Sequence, residues 1–156
     1  MPREWHCYTD GACKPGVAGS PGGWGYLLRT AGAPDVEGHG AAVGTQAKGM
    51  EVRAIAEALA AVPGASSVVV YSDNQPLVES LVKNLETWRL QGFAKVDPAV
   101  VEWVRALDAH IVGKGLVVRW QWVRGHARNA GNARADELAA LGAREAKAEL
   151  VRLGAK

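Results

Sequence analysis

Features that mark secreted and membrane proteins are scarce in this sequence. Its 156 residues include two cysteines, Cys7 and Cys13, which are too far apart to form a Cys-x-x-Cys pair. No apolar stretch approaches the length of a membrane span, and the beginning MPREWHCYTDG lacks the apolar core of a signal peptide. Because two free thiols suit a reducing compartment, we expect a cytoplasmic protein with no membrane partner.

The chain also lacks internal repeats, low-complexity tracts and linker-like segments. A chain of 156 residues fits one domain and can bury a sizeable core without disulfides or structural metals. Its content of hydrophobic residues (48%) and charged residues (22%) is that of an ordinary globular protein. We therefore expect one domain over residues 1–156, and we expect it to be a monomer.

An excess of charge is missing as well, since the formal net charge is +2. That value is too small to identify a nucleic-acid-binding protein, but the distribution of the charge is informative. Residues 113–135 contain no acidic residue and five basic ones: Lys114, Arg119, Arg124, Arg128 and Arg134. A local basic surface attracts polyanions, although basic faces without a partner are also common.

Hydrophobic periodicity in the first half of the chain predicts three strands and a helix. The segment REWHCYTDG predicts a strand that ends in a turn at Asp10-Gly11. The segments GWGYLLRT and DVEGHGAAVG predict an antiparallel hairpin around the turn-like AGAPD. From Met50 onward, apolar residues recur at helical spacing as far as Pro63-Gly64, which predicts a helix that ends there.

The second half of the chain also alternates between strands and helices. SSVVVYS predicts a strand covered on both faces, and a short helix and the irregular stretch NLETWRLQGFAKV follow it. Asp97 and Pro98 predict the start of the next helix, LVVRWQWV predicts an alternating strand, and an Ala-rich helix runs from about Ala133. This order predicts an α/β (mixed α+β) fold, in which helices flank a mixed sheet.

Four acidic residues fall near the ends of predicted elements. Asp10 and Asp73 each follow a strand, and if these strands are parallel neighbours, both carboxylates emerge at the same edge of the sheet. Glu51 lies in the first turn of its predicted helix, and Asp136 lies near the start of the last helix. Each acid alone could instead cap a helix or interact with a helix dipole.

A bound cation would explain the four acids together. Crowded carboxylates repel one another and have raised pKa values, unless a highly charged cation lies between them. A site made only of oxygen ligands suits Mg²⁺ or Mn²⁺, and two such ions about 4 Å apart cleave phosphodiesters. The pattern therefore predicts a site for Mg²⁺, with Mn²⁺ as a possible substitute, that holds two ions when substrate is bound.

Several segments of the chain resemble one known family. YTDGAC, GME at residues 49–51, SDNQ and WQWVRGHARNAGNARADELA resemble the corresponding segments of bacterial type I ribonuclease H, in the same order. The resemblance implies the ribonuclease H-like fold with a five-stranded mixed sheet. It also implies a metal-dependent endonuclease that hydrolyses the RNA strand of an RNA–DNA hybrid and leaves 5′-phosphate and 3′-hydroxyl ends.

The resemblance also implies roles for individual residues. It identifies four catalytic, metal-binding acids: Asp10, Glu51, Asp73 and Asp136. His126 matches a loop histidine that assists proton transfer or product departure. Gln75 and Asn132 match polar residues that contact the substrate near the cut.

Two segments depart from the pattern of the family. In TQAKGME, Ala47 and Lys48 stand where the family has asparagines, so we expect Lys48 and Gln46 to supply some of the substrate contacts. The basic protrusion of some relatives is reduced here to VKNLETWRLQGFAKV, in which Trp88 and Arg89 are the candidates for substrate contacts. Trp88 could equally belong to the core, because buried aromatic residues are common.

Two other functions remain open from the residues alone. Transposases, integrases and junction resolvases use a similar fold and similar carboxylate chemistry on other substrates, but the His126 loop and the presence of Glu51 argue against them. A non-catalytic nucleic-acid-binding module would be expected to lack at least one of the four acids, and none is missing. The main expectation is therefore a ribonuclease specific for hybrids.

Overall fold

The computed structural model describes residues 3–124 and 129–154, which contain five strands and four helices. The strands are β1 (Glu4–Cys13), β2 (Gly22–Arg29), β3 (Val36–Ala42), β4 (Ser67–Ser72) and β5 (Val117–Trp122). The helices are α1 (Ala47–Ala61), α2 (Gln75–Leu90), α3 (Val101–Lys114) and α4 (Ala130–Arg152). The predicted order of strands and helices is confirmed. Within the described ranges, every helix is too short or too polar to cross a membrane.

The five strands form one sheet in the order β3-β2-β1-β4-β5. β2 is antiparallel to β1 and to β3, whereas β4 is parallel to β1 and to β5. The strands that precede Asp10 and Asp73 are thus parallel neighbours, and their ladder ends where Tyr8 faces Tyr71. This confirms the predicted mixed sheet, and it places the carboxyl ends of β1 and β4 side by side.

The main hydrophobic core lies between the sheet and helices α1, α2 and α3. Val52, Ile55 and Leu59 of α1 are completely buried in it, together with Val68 and Val70 of β4. Burial of such a side chain contributes about 1.5–3 kcal/mol relative to leaving it exposed. The core therefore holds α1 firmly against the middle of the sheet.

Helix α4 packs on the opposite face of the sheet, where glycines let it approach the strands. Leu28 of β2 belongs to the main core, whereas Gly23 and Gly25, on the other face of the same strand, lie against α4. A Cβ atom at Gly23 would lie 2.4 Å from the backbone oxygen of Ala139. The backbones of α4 and β2 are therefore in direct contact, which leaves α4 little freedom to move along the strand.

Two predicted boundaries near the acids are wrong. β1 does not turn after Asp10 but continues to Cys13, because these residues pair with β2 even after the ladder with β4 has ended. Helix α1 begins at Ala47, so Glu51 lies in its second turn rather than in its first. The helix dipole acts mainly within the first turn, so it explains the position of Glu51 less well than the sequence suggested.

Three helix boundaries further along the chain also differ from the prediction. Helix α2 is not short, since it runs for 16 residues to Leu90 and includes half of the stretch predicted to be irregular. Helix α3 begins at Val101 rather than at Pro98, because residues 97–100 form a hydrogen-bonded turn before it. Helix α4 begins at Ala130, three residues before the predicted start.

Candidate active site

Three of the four predicted acids meet at the carboxyl ends of β1 and β4. Asp10 belongs to β1, Asp73 directly follows β4, and Glu51 comes from α1. One carboxylate oxygen of each lies within 4.8 Å of the corresponding oxygen of the other two. Asp10 is only 4% exposed, whereas the other two acids are partly exposed. The site is therefore accessible from one side and closed by protein on the other.

A glycine allows α1 to approach β1 at this point. A Cβ atom at Gly11 would lie 2.4 Å from the backbone carbonyl carbon of Met50 and from the backbone nitrogen of Glu51. Any other residue at this position would therefore push α1 away from the strand. Gly11 thus sets the distance between Asp10, its neighbour in the chain, and Glu51. The sequence pattern predicted only a turn at Asp10-Gly11 and did not reveal that Gly11 packs against the backbone of α1.

Asp136 reaches the same group from α4. Gly25 pairs with Asp10 across the β1–β2 ladder, and a Cβ atom at Gly25 would lie 2.8 Å from the backbone oxygen of Ala135. The start of α4 is therefore pressed against the sheet beside Asp10. Asp136 is exposed, and its hydrogen-bonding interaction with Asp10 is one of the causes that raise the pKa of Asp10.

The surroundings of Asp10 favour its neutral form. Burial is the largest cause, followed by the negative charge of Asp73 and the interaction with Asp136, and together they raise the pKa of Asp10 to about 8. One contact has the opposite effect, because the backbone nitrogen of Gly11 donates to Asp10 Oδ1 at 2.9 Å and stabilises the carboxylate. Asp10 therefore retains a proton at neutral pH when no cation is close to it.

Glu51 is perturbed in the same way. Burial is again the largest cause, and the charges of Asp10, Asp73 and Asp136 add to it, so that the pKa of Glu51 rises to about 9. Each of these four acids comes from a different part of the fold, and yet their charges act on one another. The structure thus links electrostatically all four acids that the sequence singled out.

The donor chemistry of this cluster fits a hard divalent cation. Asp10, Glu51 and Asp73 offer carboxylate oxygens, the ligands that Mg²⁺ and Mn²⁺ prefer, and no described cysteine or histidine joins the group. A cation there would compensate the repulsion between the carboxylates and would replace the protons that they otherwise retain. The residues present therefore fit a metal ion of this class.

Asn74, rather than Asp73, caps helix α2. Asn74 Oδ1 accepts a hydrogen bond from the backbone nitrogen of Leu77 at 3.1 Å. Capping was the alternative explanation for an acid at the end of β4, and Asn74 now fills that role. The backbone oxygen of Asp73 accepts a hydrogen bond from Trp122 Nε1 at 3.2 Å, which ties the end of β4 to β5.

The two polar residues that were expected to contact substrate have different surroundings. Asn132 is 4% exposed; its backbone nitrogen donates to Asn129 Oδ1 at 3.0 Å, and its own Oδ1 has no hydrogen-bond partner among the described residues. Gln75 is exposed at the start of α2, where its Nε2 donates to Glu79 Oε1 at 3.1 Å. A buried oxygen without a partner costs about 1–3 kcal/mol, so a donor from a ligand would be favourable at Asn132.

Lys48 and Trp88 line one hollow of about 480 Å³, and Asn74, which follows Asp73 in the chain, lines it too. The Nζ atom of Lys48 lies 3.0 Å from Asp97 Oδ2, and both side chains are exposed. Trp88 is partly buried and packs against the main core. Trp88 therefore has a structural role at least in part, and the expected contacts of both residues with substrate stay predictions.

Arg89 is bound to a buried acid. Its Nε donates to both carboxylate oxygens of Asp108 at 3.1 and 3.0 Å, and its terminal nitrogen donates to Asp108 Oδ1 at 2.7 Å. Asp108 is 4% exposed, so this pair joins α2 to α3. The arrangement favours a structural role for Arg89 over the predicted substrate contact. A signal was available in the sequence, because Asp108 follows Val104 by four residues and shares its apolar stripe.

The predicted catalytic histidine, His126, lies outside the described residues. Its role in proton transfer or product departure therefore stays a prediction.

The chain is similar to sequences of one family over most of its length. The family model described as RNase H matches residues 2–144. The Ribonuclease H of Polaromonas naphthalenivorans is 39% identical over 156 residues, which cover 96% of this chain and 93% of that protein. The Ribonuclease H of Bordetella bronchiseptica is 39% identical over 150 residues, which cover 93% of this chain and 92% of that protein.

Two solved structures that share this fold are also described as RNase H1. LC9-RNase H1, described as a type 1 RNase H with the type 2 active-site motif, has a TM-score of 0.72 at 25% identity, covering 93% of this chain and 74% of that one. RNase H1 from the halophilic archaeon Halobacterium salinarum has a TM-score of 0.65 at 22% identity. The match covers 94% of this chain and 98% of that one. At 22% identity, the similarity to the Halobacterium salinarum protein shows a shared fold and no more.

Proposed function

Because the chain belongs to the ribonuclease H family and is a ribonuclease H enzyme, we propose that it cuts the RNA strand of RNA–DNA hybrids internally. The observation that carries this proposal is the meeting of Asp10, Glu51 and Asp73 within 4.8 Å at one edge of the sheet. Their mutual repulsion is unfavourable to the fold, and perturbed acids of this kind concentrate at functional sites. The products are proposed to carry 5′-phosphate and 3′-hydroxyl ends.

The metal site is proposed to consist of four acids: Asp10, Glu51, Asp73 and Asp136. They would hold Mg²⁺, with Mn²⁺ as a substitute, and two ions when substrate is bound. Ions in such a site supply activation of water and stabilisation of the leaving oxygen. Asp10 and Glu51, with pKa values of about 8 and about 9, would release protons as they bind the cation.

Other residues are proposed to position the substrate and to move protons. Asn132 is proposed to contact the substrate near the cut: its Oδ1 is buried and has no partner among the described residues, and a ribose hydroxyl that reaches it on binding would supply the missing donor. Gln75 presents an exposed amide at the start of α2, two residues after Asp73. His126 would take up or deliver a proton, since an imidazole can do both near neutral pH.

The test of this function offers the protein four labelled nucleic acids with Mg²⁺: RNA–DNA hybrid, single-stranded RNA, duplex RNA and duplex DNA. We expect cleavage of the RNA strand of the hybrid. In a DNA duplex that contains a short run of ribonucleotides, we expect cuts only within or beside that run, because the 2′-hydroxyl distinguishes RNA from DNA. Equal cutting of all-DNA duplex would instead favour a resolvase-like nuclease.

A pair of variants separates the metal site from the rest of the acidic surface. Asp10→Asn keeps the size of the side chain but removes the charge that binds the ion, so it should abolish cleavage. Glu86→Gln changes an exposed acid on α2 and should keep full activity. Full activity of Asp10→Asn at saturating Mg²⁺ would reject the assignment of this metal site.

The protein is further proposed to act as a monomer in the cytoplasm. Cys7 is buried and Cys13 is partly buried, and both are free thiols, which suits a reducing compartment. Light scattering of the purified protein would test the monomer, and a mass that rises to that of a dimer at working concentration would contradict it.

A further inference from the structure

A hollow lined by three cations lies between the loop that follows β1 and the end of α4. Lys14, Arg144 and Lys147 surround a space of about 480 Å³ together with Ala148 and Val151. Three positive charges around one hollow repel one another, and an anion held there would relieve that repulsion. The hollow therefore has the charge of an anion-binding site.

The acids closest to these cations along α4 have other partners. Glu145 Oε1 lies 2.7 Å from His39 Nε2, and Glu149 forms an ion pair with Arg152. In the described part of the chain, none of the ion pairs involves any of the three cations that line the hollow. Their charge is thus available to a partner outside the protein.

Strand β1 and helix α4 both lead from the acids towards this hollow. At the acids, Gly25 of β2 pairs with Asp10 of β1, and a Cβ atom placed at Gly25 would lie 2.6 Å from Leu138 Cβ of α4. In the loop after β1, a Cβ atom at Gly19 would lie 2.9 Å from Leu150 Cδ1. The two elements therefore stay together from the active site to the hollow.

The distance from the acids follows from the geometry of the two elements. On α4, Arg144 and Lys147 lie about 12 and about 16 Å beyond Asp136, at 1.5 Å per residue. Lys14 follows Asp10 by four residues, which is about 13 Å of extended chain. One strand of a duplex carries a phosphate about every 3.4 Å along the axis. The hollow is therefore about four or five phosphates away from the acids.

We infer that this cationic hollow binds the phosphodiester backbone of the hybrid at a distance from the cut. The inference rests on the proposed function, because it names a second contact for the same substrate. Lysine and arginine bind phosphates chiefly through charge, and the release of counterions makes such binding dependent on salt. The hollow would thus increase affinity without reading the sequence and without altering the chemistry of cleavage.

The test measures how tightly a labelled hybrid longer than two helical turns binds to the Asp10→Asn variant, so that the result does not depend on cleavage. In this background, Arg144→Gln combined with Lys147→Gln should raise Kd several-fold. The slope of log Kd against log salt between 50 and 200 mM should fall by about 2, because each phosphate contact contributes about 0.9. Lys14→Gln alone should lower the slope by about 1.

A matched control removes the same charge elsewhere. Arg3→Gln combined with Arg29→Gln takes two positive charges from the other end of β1, where Arg29 of β2 lies opposite His6 in the β1–β2 ladder. This double variant should change neither Kd nor the slope. If the control and the Arg144/Lys147 variant lose the same affinity, only net charge matters and the inference is overturned. Unchanged binding in the Arg144/Lys147 variant also overturns it. A wild-type protein that fails to cut hybrid would overturn the proposed function instead.

Discussion

In the absence of a metal ion, the protein should lose stability as the pH rises from about 5 to about 7. In the fold, the pKa of Asp10 is raised from 3.8 to about 8, and that of Glu51 from 4.5 to about 9. At pH values between the unfolded and the folded pKa of each acid, the folded state binds more protons than the unfolded state. The free energy of unfolding therefore falls with rising pH, since its slope follows the protons bound in the unfolded state minus those bound in the folded state.

The size of the effect follows from the number of protons retained. Each proton that only the folded state retains changes the free energy of unfolding by about 1.4 kcal/mol per pH unit. One to two such protons over two pH units correspond to a fall of about 3–5 kcal/mol. Asp35 and Glu37 do not mask this fall, because their arginine partners lower their pKa values and their contribution is lost only below about pH 4. His110 opposes it in part, because burial lowers the pKa of His110 and the unfolded state then binds more protons at this group. The net fall therefore lies towards the lower end of this range.

Urea unfolding in the presence of EDTA, followed by circular dichroism at several pH values, measures this fall. In Asp10→Asn the fall should be half as large or smaller, because one titrating group and one of the charges that raise the pKa of Glu51 are gone. This variant should therefore be at least as stable as wild type at neutral pH, although it is inactive. Saturating Mg²⁺ should abolish the fall in wild type, because the cation replaces the protons.

The control for this experiment is Glu86→Gln, which changes an exposed acid on α2 and should retain the wild-type slope. A free energy of unfolding that stays constant or increases from about pH 5 to about pH 7 in EDTA would refute the reasoning. So would a slope in Asp10→Asn equal to that of wild type.

The remaining predictions concern residues around the acids. His126→Ala should lower kcat by roughly 10²-fold with hybrid binding and the need for Mg²⁺ retained, and an unchanged kcat between about pH 6 and 9 would contradict this. Arg89→Met should leave Asp108 buried without its partner and lower the free energy of unfolding by about 2–3 kcal/mol, allowing for the 39% exposure of Arg89, with KM unchanged. A raised KM at normal stability would instead make Arg89 a substrate contact. Gly11→Ala should weaken Mg²⁺ binding in calorimetry and lower kcat, whereas Gly38→Ala, which crowds the Tyr26 ring, should lower stability alone. Equal affinity of these two variants for Mg²⁺ would show that Gly11 does not position the acids.

The meeting of Asp10 and Asp73 could be predicted because it depends on local patterns. The apolar run before Asp73 is typical of a covered strand, and the helical spacing between the two strands supplies the crossover that a parallel pair needs. Both predicted strands are confirmed, and their parallel pairing, which the sequence left as a condition, is observed. Given this pairing, the topology brings the two acids to the same edge of the sheet.

Contacts between distant segments could not be predicted in the same way. Asp-Gly is a strong signal for a turn, and yet Gly11 continues β1, because β2 pairs with it and α1 occupies the space of a side chain. Arg89 was expected to contact the substrate, and in the fold its side chain is bound to the buried Asp108. Asp108 is 19 residues away on another helix, so its position on an apolar stripe indicates a buried acid but does not indicate which residue pairs with it.

The acids of the candidate site are held together by contacts that do not involve their charges. The β1–β4 ladder places two of them, Gly11 admits α1 with Glu51, and Gly25 admits α4 with Asp136. Because these contacts are made by backbone and apolar groups, they fix the backbone positions of the acids, and the buried carboxylate of Asp10 cannot relieve the repulsion by moving away. Protons or a cation must relieve it instead. The packing of the fold therefore brings the carboxylates together, and their combined charge favours the binding of a divalent cation.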